Sequence, residues 1–115
     1  MKAIIILSFA LLSVRAESRS TPAQQSITTP HRVEVTFSKT THLIFPDAVK
    51  YVDLGSTNII ASKVSGAENV VRVKAAVRDF TEETNFSVIC SDGRFYSFDV
   101  VYSERPARLS IEVEQ

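Results

Sequence analysis

Val70-Val71-Arg72-Val73-Lys74-Ala75-Ala76-Val77 alternates along its length, with Val71, Val73, Ala75 and Val77 on one side and Arg72, Lys74, Ala76 and Arg78 on the other. A period of two places successive side chains on opposite faces of an extended chain, so this stretch reads as a strand with one buried face. The same period runs outward in both directions. Upstream, Val33, Val35 and Phe37 alternate with Glu34 and Thr36, and His42 to Phe45 is extended. Pro46-Asp47 then removes a backbone donor and favours a turn before Val49 to Leu54. Gly55-Ser56 closes that segment, and Asn58 to Val64 ends in a turn over Ser65 to Asn69. Downstream, the polar corner Asp79 to Asn85 leads to Phe86, Val88 and Cys90 on one face. Asp92-Gly93 is a two-residue hairpin signal, and the strand returning over Arg94 to Tyr102 turns Tyr96, Phe98, Val100 and Tyr102 inward. A last strand after Pro106 carries Leu109, Ile111 and Val113. Seven or eight short strands with no helical stretch of ten residues predict an all-β fold, a small antiparallel β-sandwich.

The flanks and the totals bound the rest. Met1 to Ala16, MKAIIILSFALLSVRA, has one positive charge at Lys2, an apolar run from Ala3 to Val14 and small residues at Val14 and Ala16. A run of about 12 residues is short of the roughly 20 that span a bilayer, so the segment reads as a signal peptide cleaved after Ala16. Residues 17–30, ESRSTPAQQSITTP, are polar and offer little to bury, so they read as a flexible leader; residues 31–115 form the domain. The 115 residues carry 13 basic and 13 acidic side chains. Removing Lys2 and Arg15 with the leader leaves 11 against 13, which gives neither a nucleic-acid-binding field nor an acidic tail. One cysteine, Cys90, makes no intramolecular disulfide, so packing and backbone pairing must hold the domain.

Reactive constellations are weak throughout. His31 and His42 lack the further ligands that a metal site needs, and no motif ties either to a serine or to Cys90. Cys90 alternates with Phe86 and Val88, which reads as a buried, inert thiol. Glu82, Glu83 and Asp79 sit among Thr81, Thr84 and Asn85 in a solvated corner, and Gly55, Gly66 and Gly93 are isolated rather than part of a phosphate-cradling loop. Arg72, Lys74 and Arg78 form a basic row with no aromatic residue alternating between them, so it reads as a solvated face. Neither catalysis nor a catalytic residue, metal or cofactor is expected. Surface recognition remains. On the Arg94 to Tyr102 strand the face opposite the core carries Phe95, Ser97, Asp99 and Val101, which makes Phe95 and Val101 the candidate interface residues. Sheet edges, with their unpaired N–H and C=O groups, are a second route to a partner.

The stretch KTTHLIFPDAVKYVDLGSTNIIASKVSGAENVVRVKAAV, Lys39 to Val77, followed by DFTEETNFSVICSDGRFYSFDVVY, Asp79 to Tyr102, resembles the conjugative transposon TraN family. This is the transposon-type protein, unrelated to the cysteine-rich TraN of F-like plasmids. The order of strand, T-x-L-I-F-P, strand and T-N-x-x-V hairpin is also similar to the N-terminal domain of CagX-type core subunits of type IV secretion systems. The resemblance covers roughly Arg32 to Val113 and implies a non-enzymatic structural subunit of a mating-pore apparatus for DNA transfer. Such a subunit is exported, is periplasmic or outer-membrane-associated, contacts other mating-pore proteins and self-associates in a ring. No direct contact with nucleic acid and no membrane span in the mature chain are expected. Family members are longer, with a second β-rich domain that the 115 residues do not include, and they bring no catalytic motif to transfer. The alternative from another class is a free secreted β-sandwich module that binds a ligand or acts like an adhesin.

Overall fold

The computed structural model describes residues 29–114. The cleavage point after Ala16 and nearly all of the expected leader lie outside the described residues. Eight strands follow in order: β1 (His31–Val35), β2 (Thr41–Ile44), β3 (Val49–Leu54), β4 (Ile59–Val64), β5 (Ala67–Ala75), β6 (Thr84–Cys90), β7 (Phe95–Tyr102) and β8 (Ser110–Glu112). They form two four-stranded sheets, sheet I in the order β1-β7-β6-β3 and sheet II in the order β4-β5-β2-β8. The two pack as a sandwich, as the alternation predicts.

Most neighbours are antiparallel, but β1 runs parallel to β7 and β8 parallel to β2. Both exceptions come from chain crossings. β1 leads into β2 and β7 leads into β8, and each step carries the chain from sheet I to sheet II, so no tight hairpin dictates the direction of the edge strand. β3 and β4 close one side of the sandwich, whereas β1 and β8 flank a cleft on the other.

The core is the inward set of the alternating strands. Val71, Val73 and Ala75 of β5 meet Phe86, Val88 and Cys90 of β6 and Tyr96, Phe98 and Val100 of β7, all buried. Phe86 and Phe98, opposite each other on β6 and β7, stack with centroids 4.7 Å apart. Phe45 supplies the aromatic counterpart from sheet II, edge-on to Tyr96 at 5.1 Å and to Phe98 at 5.9 Å. It holds this position because its amide donates to the Asn69 carbonyl at 2.8 Å and its carbonyl accepts from Asn69 Nδ2 at 3.0 Å. The residues THLIFP therefore form one strand plus the aromatic plug that follows it.

Strand ends depart from simple alternation. β1 stops at Val35, and Thr36, expected on the outward side, is buried, with its carbonyl accepting from the Ala75 amide at 3.0 Å. β5 starts at Ala67, inside the expected turn, and stops at Ala75, which leaves Val77 exposed rather than inward. The β6–β7 hairpin closes through three residues, Ser91 to Gly93, not two. The Cys90 amide donates to the Arg94 carbonyl, and Gly93 takes φ +87°, the left-handed value that three-residue hairpins need at their last position.

Gly55 is required for a different reason. Its amide donates to the Asn85 carbonyl at 2.8 Å, joining the end of β3 to β6, and a Cβ there would overlap Asn85 Oδ1 and lie 2.9 Å from that carbonyl. The Asn85 side chain can swing away, but the backbone oxygen cannot without loss of the bond. Gly55→Ala is expected to cost about 1 to 3 kcal/mol, read as a lower urea midpoint at unchanged slope. A midpoint equal to that of the parent would show that the approach is not tight.

Candidate functional site

Alternation buries one face of each sheet, so recognition must use what the outer faces and the edges carry. On the outer face of sheet I, Tyr51 of β3 lies opposite Ile89 of β6, which lies opposite Phe95 of β7. These three side chains form one apolar row across the sheet, with Tyr51 51% and Phe95 50% exposed. The next row, Asp53, Ser87 and Ser97, is polar, and beyond it Asn85, Asp99 and Arg32 line up. The exposed aromatic groups of this face are thus confined to the hairpin end.

Phe95 is outward, as the alternation requires, but its company differs from the sequence expectation. Val101 shares the face yet sits six residues further along β7, roughly 20 Å away at strand rise, half-buried beside Glu34 of β1. The structure does not bring Phe95 and Val101 together; it joins Phe95 to Ile89 and Tyr51. Tyr51 reaches this face through a β-bulge between Val49 and Tyr51. The extra residue, Lys50, shifts the alternation by one, so Val49 and Val52 both face inward and Tyr51 turns out. No local signal in VKYVDL marks that shift. Ile89 was legible in principle, because it alternates with Val88 and Cys90.

The outer face of sheet II is basic. Arg72 and Lys74 point outward from β5, opposite Ser62 and Ile60 of β4, and His42 of β2 lies on the other side of Arg72. The aromatic absent from the sequence row arrives from the β1–β2 loop: Phe37 places its ring 4.3 Å from Arg78 Cζ and 5.6 Å from Lys74 Nζ. His31, on the other sheet, stacks on Phe98 with centroids 5.3 Å apart. Among the described residues no group of three or more His, Cys, Asp or Glu side chains is placed to hold a metal ion. Glu82, Glu83 and Asp99 line an open polar bowl of about 420 Å³ together with Asn58, Thr84 and Asn85.

Glu34 fixes the β7–β8 connection. The Ala107 amide donates to Glu34 Oε1 at 2.8 Å, and this bond, with Arg32 Nη1 at 3.3 Å from Oε2, holds the carboxyl below the usual carboxylate range. Because the folded value is depressed, this tether is present above the ordinary carboxylate pKa and is lost as pH falls through the depressed one.

A family model described as "Domain of unknown function (DUF8473)" matches residues 33–106, nearly two thirds of the chain. The match runs from within β1 through β7, and takes in both the apolar row of sheet I and the basic strand of sheet II. No curated protein matches the chain.

Proposed function

The chain belongs to the DUF8473 family, and we propose that it serves as a structural, non-enzymatic component of a conjugative type IV secretion apparatus. In this reading it is exported to the periplasm and assembles with other mating-pore proteins into the envelope channel for DNA transfer. The segments Lys39 to Val77 and Asp79 to Tyr102 support the reading through their likeness to the transposon-type TraN family, as does the export leader read at Met1 to Ala16. The observation that carries it furthest is the Tyr51–Ile89–Phe95 row, an apolar strip on an outer sheet face whose two ends no other described residues cover. Half-exposed aromatic side chains on a strand face are suited to a neighbouring subunit, and such anchors dominate interface energies.

Phe95→Asp tests the assembly directly. The side chain lies outside the core, so the variant is expected to keep its strand spectrum and to lose no more than about 1 kcal/mol of stability. In the host the parent chain is expected to fractionate with the envelope in large complexes, and the variant to appear in the soluble periplasmic fraction. A parent chain that fractionates as a soluble monomer would instead favour a free secreted binding module.

A further inference from the structure

Arg72 and Lys74 stand two residues apart on the outward side of β5, roughly 7 Å from each other at strand rise. Opposite them β4 places Ser62 and Ile60, and Thr40 completes a shallow open groove of about 180 Å³. Arg72 Nε donates to Ser62 Oγ at 3.4 Å, which aligns the guanidinium and leaves both of its terminal nitrogens free of that bond. Among the described residues the ion pairs lie elsewhere, at Arg32–Glu34, Lys63–Glu68 and Arg94–Asp92, so no carboxylate neutralises Arg72, Lys74 or Arg78. Two cations with no ion-pair partner among the described residues, two hydroxyls and a 53% exposed isoleucine thus share one side of sheet II.

We propose that this groove binds the phosphate head group of an anionic phospholipid, with Ile60 entering the apolar boundary beneath it. The phosphodiester would sit between the Arg72 guanidinium and the Lys74 ammonium, which hold its charge, with Thr40 and Ser62 as hydroxyl partners. A free anion gains little from so open a groove, whereas a membrane surface presents many head groups to an outer sheet face at once. Ile60 has no use in binding a small hydrophilic anion and a clear one at an acyl boundary. Single-stranded nucleic acid needs an open aromatic face to stack on, and the Phe37 ring is covered by Arg78. This groove lies on the opposite side of the sandwich from the Tyr51–Ile89–Phe95 row, so the proposal stands independently of the assembly reading.

Flotation of the full chain with phosphatidylcholine vesicles, with and without phosphatidylglycerol, tests it. The apolar segment Met1 to Ala16 contributes equally to parent and variants, so the readout is the difference between vesicle types. Arg72→Gln/Lys74→Gln is expected to lower the phosphatidylglycerol-dependent partition about tenfold or more, and the charge-matched Lys50→Gln/Arg94→Gln on sheet I by less than about twofold. Ile60→Ser is expected to weaken it several-fold with the charge unchanged. Equal losses in the two double variants would reduce the effect to net charge and overturn the site. So would partition indifferent to phosphatidylglycerol. Displacement by inorganic phosphate at millimolar concentration would make a free anion the ligand, and displacement by polyglutamate at matched charge an acidic polypeptide; either result overturns the lipid assignment.

Discussion

Val73→Asp is expected to abolish the cooperative thermal transition, while Arg72→Asp, one residue away, leaves it nearly unchanged. Val73 is 1% exposed on β5, between Thr41 of β2 and Ala61 of β4, and faces the aromatic cluster of sheet I. A carboxylate there has only one polar neighbour across the ladder. That neighbour, Thr41 Oγ1, already donates to the Glu34 carbonyl at 3.2 Å. An unpaired buried carboxylate costs several kcal/mol, comparable with the roughly 5 to 15 kcal/mol that holds a domain of this size together. Val73→Ala, which only removes two methyl groups, is expected to cost about 2 kcal/mol and to fold. The contrast between positions 72 and 73 tests register as well as burial, because a slip of one residue exchanges their faces. Dispersed amide resonances from Val73→Asp would show that β5 presents its other face to the core.

Cys90 is expected to resist alkylation in the folded chain and to react at the normal rate once unfolded. It is fully enclosed on β6, and burial first, then the nearby Asp92 and Asp47 carboxylates, push its thiol from 9.0 up to about 11. At pH 8 that shift alone reduces the thiolate about a hundredfold, and enclosure slows the reagent further. Iodoacetamide labelling followed by mass spectrometry, with and without denaturant, reads the difference. The same shift sets a pH dependence. The folded state holds the proton more tightly, so this contribution to stability is complete below the unfolded value of 9.0 and is lost as pH rises toward about 11. Two pH units correspond to roughly 2 to 3 kcal/mol, and Tyr96, raised chiefly by burial, adds to the alkaline loss. Cys90→Ala should flatten the stability profile between those limits. Rapid labelling of the native chain at pH 8 would contradict the enclosed position.

Much of the inward set was readable because period two is a strictly local property. Val71, Val73 and Ala75, then Phe86, Val88 and Cys90, then Tyr96, Phe98 and Val100, all fall where alternation places them. Errors gather at strand ends, where the chain bends out of the ladder: Thr36 turns in and Val77 turns out, while Phe37 packs against the core as expected but also carries Arg78 and Lys74. The candidate interface shows the same division. Phe95 was legible from its position on β7, but its partners Ile89 and Tyr51 belong to other strands, and the bulge at Lys50 puts Tyr51 on their face.

By itself, then, the sequence determined the extended character of the chain, the two-faced strands and the side chains that seek a common core, since each follows from neighbours two residues apart. Only the tertiary structure decided which strands lie side by side, which two run parallel, and which outward residues meet. Those outcomes depend on loop crossings, one bulge and contacts between segments distant in the chain, and pairing energies of that kind are not written in any local pattern. The apolar row of sheet I and the cationic groove of sheet II are both products of that second level, assembled from strands that alternation alone could describe but not place.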